Sequence, residues 1–166
     1  MKFLVRAIFL IAVLVLISLQ SAYACSCTYR GKFTEYAKGS VVIEAEIKSY
    51  GTKLGHGKTL HKTMKVSITE VIKGTFSHTS IEFQGDPGHL CLSYVDSEKY
   101  PIGSKHLFAV LNEQKQGLGG CGEVSVSIVG GKVNGIEMVD GKWFQYSVDY
   151  DDFIKTVKKG MSNQVP

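Results

Sequence analysis

Four cysteines, and where they fall, constrain this chain more than any other feature. Cys25 and Cys27 stand one residue apart near the start, and Cys91 and Cys121 follow at long intervals. Directly before the first of them, Ala22-Tyr23-Ala24 has the small-x-small pattern of a signal-peptidase site. It lies behind a basic Met1–Arg6 stretch and an apolar run from Ala7 to Leu19. That run falls short of the about 20 residues a helix needs to cross a bilayer. Residues 1–24 are therefore expected to be a signal peptide, and the remainder a secreted chain, extracellular or periplasmic. Cleavage after Ala24 makes Cys25 the mature amino terminus. Two competing readings are an uncleaved anchor and a lipoprotein lipidated at Cys25. A lipoprotein signal wants a Leu-like residue where Ala22 stands and a small one where Tyr23 stands.

Export decides how the cysteines are read. An even number in an oxidising compartment implies disulfides, and four cysteines allow three pairings. Joining Cys25 directly to Cys27 would close a small strained ring, whereas the other two pairings tie the front end to distant positions. Each such bridge closes a loop of roughly 65 to 95 residues, worth about 4 kcal/mol in the chain-entropy picture. A four-cysteine zinc or copper site is the rival reading, and it lacks a second close pair.

Charge and composition mainly exclude. The chain has 19 basic and 15 acidic residues, and Lys2 and Arg6 leave with the leader. That mild excess, with no basic run and no aromatic-basic interleaving, gives no reason to expect a nucleic-acid partner. The chain after Ala24 is long enough for the core of one domain. His56, His61, His78, His89 and His106 are scattered, with no nucleophile–base spacing or metal-ligand helix motif. No enzyme activity, cofactor or intrinsic metal is expected, and the chain is expected to be a monomer without a membrane span.

The hydrophobic pattern is that of short strands. Phe33–Lys38 reads as a helical turn ended by Gly39. Val41, Ile43, Ala45 and Ile47 alternate with Glu44, Glu46 and Lys48, as a half-buried strand does. Gly51–His61 reads as a flexible connection, after which Met64, Val66 and Ile68 form a second strand stopped at Lys73-Gly74. Ile81 and Phe83 mark a third, Leu107–Leu111 a fourth, and Val124, Val126 and Ile128 a fifth. Gly85-Asp86-Pro87-Gly88 and Tyr100-Pro101-Ile102-Gly103 punctuate between them. The fold class predicted is mainly β: a small five-stranded barrel over residues 25–129 with a short helix near its start.

Residues 130–166 read as an extension packed on the same domain. Gly130-Gly131 and Asp140-Gly141 are hairpin turn pairs, and Trp143, Phe144 and Tyr146 are expected to pack that hairpin on the barrel. Tyr150, Phe153, Ile154 and Val157 then recur at helical spacing. Asp149, Asp151 and Asp152 lie at the start of that helix, Lys155, Lys158 and Lys159 near its end, and Gly160 as its stop.

A mature chain opening Cys-x-Cys, an early Val41-Val42-Ile43-Glu44-Ala45 strand, a second strand ending Val71-Ile72-Lys73-Gly74, and the spacings to Cys91 and Cys121 resemble the amino-terminal domain of the tissue inhibitors of metalloproteinases. That domain is a netrin-like module on an oligonucleotide/oligosaccharide-binding (OB) barrel, and the resemblance runs from about Cys25 to Glu123. It implies disulfides Cys25–Cys91 and Cys27–Cys121. It also implies a mechanism: the amino nitrogen and carbonyl oxygen of Cys25 chelate the catalytic zinc of a metalloendopeptidase, at the position kept open for water or substrate. Nitrogen and oxygen donors suit that ion. The amine must be neutral, and the usual α-amino pKa of about 7.7–8.0 makes that inexpensive near neutral pH. Ser26 and Cys27 would enter the protease site beside the zinc, with Gly88, His89 and Leu90 as a second contact edge.

The chain also departs from that family. Its third disulfide has no counterpart, with Ala37 near the place of the early cysteine. The cysteine-rich carboxy-terminal domain is replaced by the hairpin and helix, and Thr28-Tyr29-Arg30-Gly31 stands where the family has a proline-rich run. An extracellular netrin-like module that binds some other protein without inhibiting a protease is the alternative.

Overall fold

A computed structural model describes residues 31–54, 59–87, 92–111, 118–119, 122–139 and 141–159. They form helix α1 (Phe33–Lys38), strands β1 (Val41–Leu54), β2 (Leu60–Lys73), β3 (Ser80–Gln84), β4 (Lys105–Val110), β5 (Ser125–Val129), β6 (Lys132–Val139) and β7 (Lys142–Asp149), and helix α2 (Tyr150–Lys159). All strand pairs are antiparallel. The order across the sheet is β3-β2-β1-β4-β5-β6-β7.

The protein is thus mainly β, but the predicted five-stranded closed barrel is not what forms. Seven strands make one open sheet with β3 and β7 at its edges. The number rises because the tail hairpin continues the ladder: β6 pairs with β5 through Ser127–Asn134, Ile128–Val133 and Val129–Lys132. Gly130 and Gly131 make that turn at φ 58° and 75°, left-handed conformations that cost glycine little.

The sheet is open yet strongly curled. Three strand spacings separate β3 from β4, about 14 Å in a flat sheet. The rings of Phe83 on β3 and Phe108 on β4 nonetheless lie 4.9 Å apart between centroids. Register shifts at Val42/Ile43, Glu44/Ala45 and Ile47/Ser49 interrupt β1, and such bulges bend and twist a strand. The concave side holds one core, built from Ile43, Ile47, Met64, Phe83, Tyr100 and Phe108. Each such side chain fully buried contributes about 1.5–3 kcal/mol.

The convex side holds a second core. There Phe33 and Ala37 of α1 and Phe153, Ile154 and Val157 of α2 cover Val42, Leu107 and Val126. This corrects the half-buried reading of the first half of β1, because both faces of Val42–Ile47 are covered. Glu44, expected outside, is only 8% exposed. Its carboxylate accepts hydrogen bonds from Tyr150 Oη at 2.6 Å, Thr69 Oγ1 at 3.0 Å and Lys105 Nζ at 3.1 Å. Burial pushes the Glu44 pKa up, but those hydrogen bonds outweigh it and leave the pKa below the usual carboxylate value. Lys73, likewise buried, donates to the terminal carbonyls of Ala37 and Lys38 and so caps α1.

Two further expectations change. Gly51–Leu54 and Leu60–His61 are strand, not loop, pairing from Gly51–Thr63 out to Leu54–Leu60. Trp143 and Phe144 are 52% and 49% exposed, and of the three tail aromatics Tyr146 is the one that packs on the convex core. Among the described residues no helix is long and apolar enough to cross a membrane.

Candidate functional site

The residues singled out from the sequence, Cys25, Ser26, Cys27, Gly88, His89, Leu90, Cys91 and Cys121, all lie outside the described residues, as do His56 and Gly160. The described residues near them in the chain include Gly31, Leu92, Gly119 and Glu123, and hydrogen bonds and a β-bridge tie these segments to one another. Gly31 O accepts a hydrogen bond from Glu123 N at 3.3 Å. Leu92, next to Cys91, forms a β-bridge with Gly119, two residues before Cys121. Ser93 N donates to Leu118 O at 2.9 Å, and Ser93 Oγ donates to Gly119 O at 2.8 Å.

The connector that carries Gly88–Cys91 is pinned at both described ends. Gly85 N donates to Lys62 O at 2.9 Å, and Asp86 N to Ser93 O at 3.2 Å. Leu92 N donates to Asp86 Oδ2 at 3.0 Å, which closes the connector on itself. The buried His61 ring approaches Gly85 O through Nδ1 at 3.2 Å. A carbonyl only accepts, so Nδ1 carries the proton. Gly85 packs tightly here, since a Cβ at that position would meet Val95 Cγ2 at 2.6 Å.

Beside the connector rises the outer half of the β1–β2 hairpin. Two clefts of about 430 and 440 Å³ lie between them and share Lys62, Val95 and Asp96. Leu60, Pro87 and Tyr94 line the second. Leu54, Leu60 and Tyr94 are each more than 60% exposed. Large apolar side chains set beside a trough of mixed polarity make a surface suited to gripping another polypeptide. Tyr50 Oη donates to Asp96 O at 2.9 Å and also contacts Tyr100 O, holding the far wall. Burial, then Asp96, raises the Tyr50 pKa, so the phenol stays protonated and a donor.

Among the described residues, no group of three or more His, Cys, Asp and Glu side chains is placed to hold a metal ion. The buried titratable groups are engaged structurally. Ser104 Oγ donates to Pro101 O at 2.6 Å, so toward His106 Nε2, 2.9 Å away, that hydroxyl accepts. Nε2 of His106 therefore carries a proton, and burial, with Lys99 adding, depresses the pKa to about 4, which keeps the ring neutral at pH 7. Glu123 was not foreseen. Its carboxylate accepts from Tyr146 Oη at 2.7 Å and from Ile136 N. A glutamate two residues past a cysteine in a glycine-rich run carries no periodic signal, so the sequence offered no way to find it. The chain matches no protein-family model, no curated protein and no solved structure.

Proposed function

We propose that the chain is a secreted inhibitor of zinc metalloendopeptidases, with the amine and carbonyl of a mature Cys25 as bidentate ligands for the protease zinc. One observation carries the reading: a signal-peptidase site ends where a Cys-x-Cys sequence begins, so processing places an α-amine and a peptide carbonyl at the tip of a cross-linked segment. Disulfides Cys25–Cys91 and Cys27–Cys121 belong to the same proposal, and a tip held that way loses little entropy on docking. The pinned connector and the exposed Leu54, Leu60 and Tyr94 beside it support a protein as the partner.

The exposed hairpin edge also suits the second reading, a netrin-like module that binds an extracellular protein without using zinc. Adding one alanine before Cys25 separates the two. Chelation by the terminus predicts loss of inhibition by more than about 100-fold, on the order of 3 kcal/mol, with an unchanged melting temperature. Undiminished inhibition contradicts chelation. A protein partner still captured by the extended variant would favour the second reading.

A further inference from the structure

The segment that follows the amino-terminal tip meets the carboxy-terminal hairpin at a single joint. Helix α1 begins at Lys32, whose side chain provides no capping hydrogen bond, so the first N–H groups of the helix need acceptors from elsewhere. Glu123 stands at that end: its N–H donates to Gly31 O at 3.3 Å, and the Phe33 amide is near enough to its carboxylate to favour the charged form. The same carboxylate accepts from Ile136 N of β6 and from Tyr146 Oη of β7. One residue thus fastens the entry to α1, through its N–H, to both strands of the tail hairpin, through its carboxylate.

The surroundings make room for that contact and reinforce it. A Cβ on Gly135 would sit 2.5 Å from both Glu123 Oε1 and Tyr146 Oη, so only glycine lets the carboxylate reach the hairpin. A Cβ on Gly122 would collide with the Tyr36 ring of α1. Lys32 Nζ bridges to Glu137 Oε2 at 2.5 Å. Phe153 of α2 packs between Phe33, at 5.8 Å, and Tyr146, at 6.3 Å between centroids. The carboxylate, the ion pair and the aromatic stack all join the same two parts of the chain.

We propose that Glu123 is a positioning residue for the amino-terminal segment, and that the hairpin and α2 form the brace that holds this segment for partner binding. The consequence for inhibition rests on the reading of Cys25 given above; the bracing itself does not. The test is amide hydrogen exchange of the secreted protein, read on residues 31–38, alongside inhibition of a zinc endopeptidase catalytic domain.

In Glu123→Ala, exchange over residues 31–38 is expected to speed by at least about 10-fold, with the β1–β2 peptides unchanged and inhibition weakened by about 10-fold. Glu123→Gln keeps one carbonyl acceptor and should recover part of both. Tyr146→Phe removes one bond while keeping the ring, should give a smaller change in the same peptide, and serves if Glu123→Ala does not fold. Unchanged exchange at residues 31–38 in Glu123→Gln and Tyr146→Phe, or an equal rise across the whole domain, overturns the proposal. If the parent inhibits no zinc protease, the chelation reading fails, and the exchange data still decide whether Glu123 positions the segment.

Discussion

Two hairpins project from this sheet, and similar strand chemistry is put to different uses in them. The outer half of β1–β2 exposes Leu54 and Leu60 beside a pinned connector and shares clefts with it. The β6–β7 hairpin is also largely exposed, yet its inner end is anchored by the fully buried Val133 and by Tyr146 on Glu123. An exposed apolar strand end is a hazard unless it is covered or used. The difference between the hairpins lies in what stands next to each: a connector leading to Cys91 in one case, and the start of α1 in the other. Under the two proposals above, the first would make contact and the second would brace.

The strongest way to break that contrast is to attack the brace. Phe153 is 5% exposed and joins α1 to Tyr146. Phe153→Ala should cost about 3–5 kcal/mol, read as a lowered urea midpoint. A loss under about 1 kcal/mol would mean that α2 is an ornament on the sheet and not part of its support.

The concave core makes a pH-dependent contribution of its own. An unfolded histidine titrates near pH 6.5, whereas His106 in the fold holds off its proton until about pH 4. Between those values the unfolded state binds more protons, so stability falls as pH drops through the window, by roughly 2–3 kcal/mol in all. His106→Gln should flatten that slope between pH 6.5 and 4, measured by denaturant melts at several pH values. An unchanged slope would assign the acid sensitivity to other groups.

The contact hairpin should behave in the opposite way to the brace. Leu60→Ser and Tyr94→Ala, at exposed positions, should shift stability by no more than about 0.5 kcal/mol while weakening binding of a target protease by about 10-fold. Binding that stays at the parent level would remove this trough from the interface. The smallest effect is expected at Trp143. It is half exposed on the bracing hairpin, and Trp143→Ala should leave both stability and inhibition within about twofold of the parent.

Much of the sheet could be read from alternation. The apolar positions Met64, Val66, Phe83 and Val126 are buried, and the glycine pair at 130–131 makes the turn it suggested. What misled was any residue whose surroundings come from far along the chain. Glu44 reads as a solvated position until α2, more than a hundred residues later, brings Tyr150 onto it. Gly51 and the loop-like residues after it form strand because β2 pairs with them, a non-local contact that outweighs weak local propensity. Trp143 reads as core by its size, but β7 is an edge strand and leaves it half exposed. Of the site, the tip residues could be named from the leader and the cysteine spacing and lie outside the described residues. The joint at Glu123 depends on three separate segments meeting, which no local pattern encodes.

Intact mass together with amino-terminal sequencing of the secreted protein bears most directly on the chelating terminus. The expected result is a chain that starts at Cys25 with an unmodified amine and weighs four hydrogens less than its reduced form, as two disulfides require. A start at any other residue, an acyl group on Cys25, or a mass with no disulfides would contradict it.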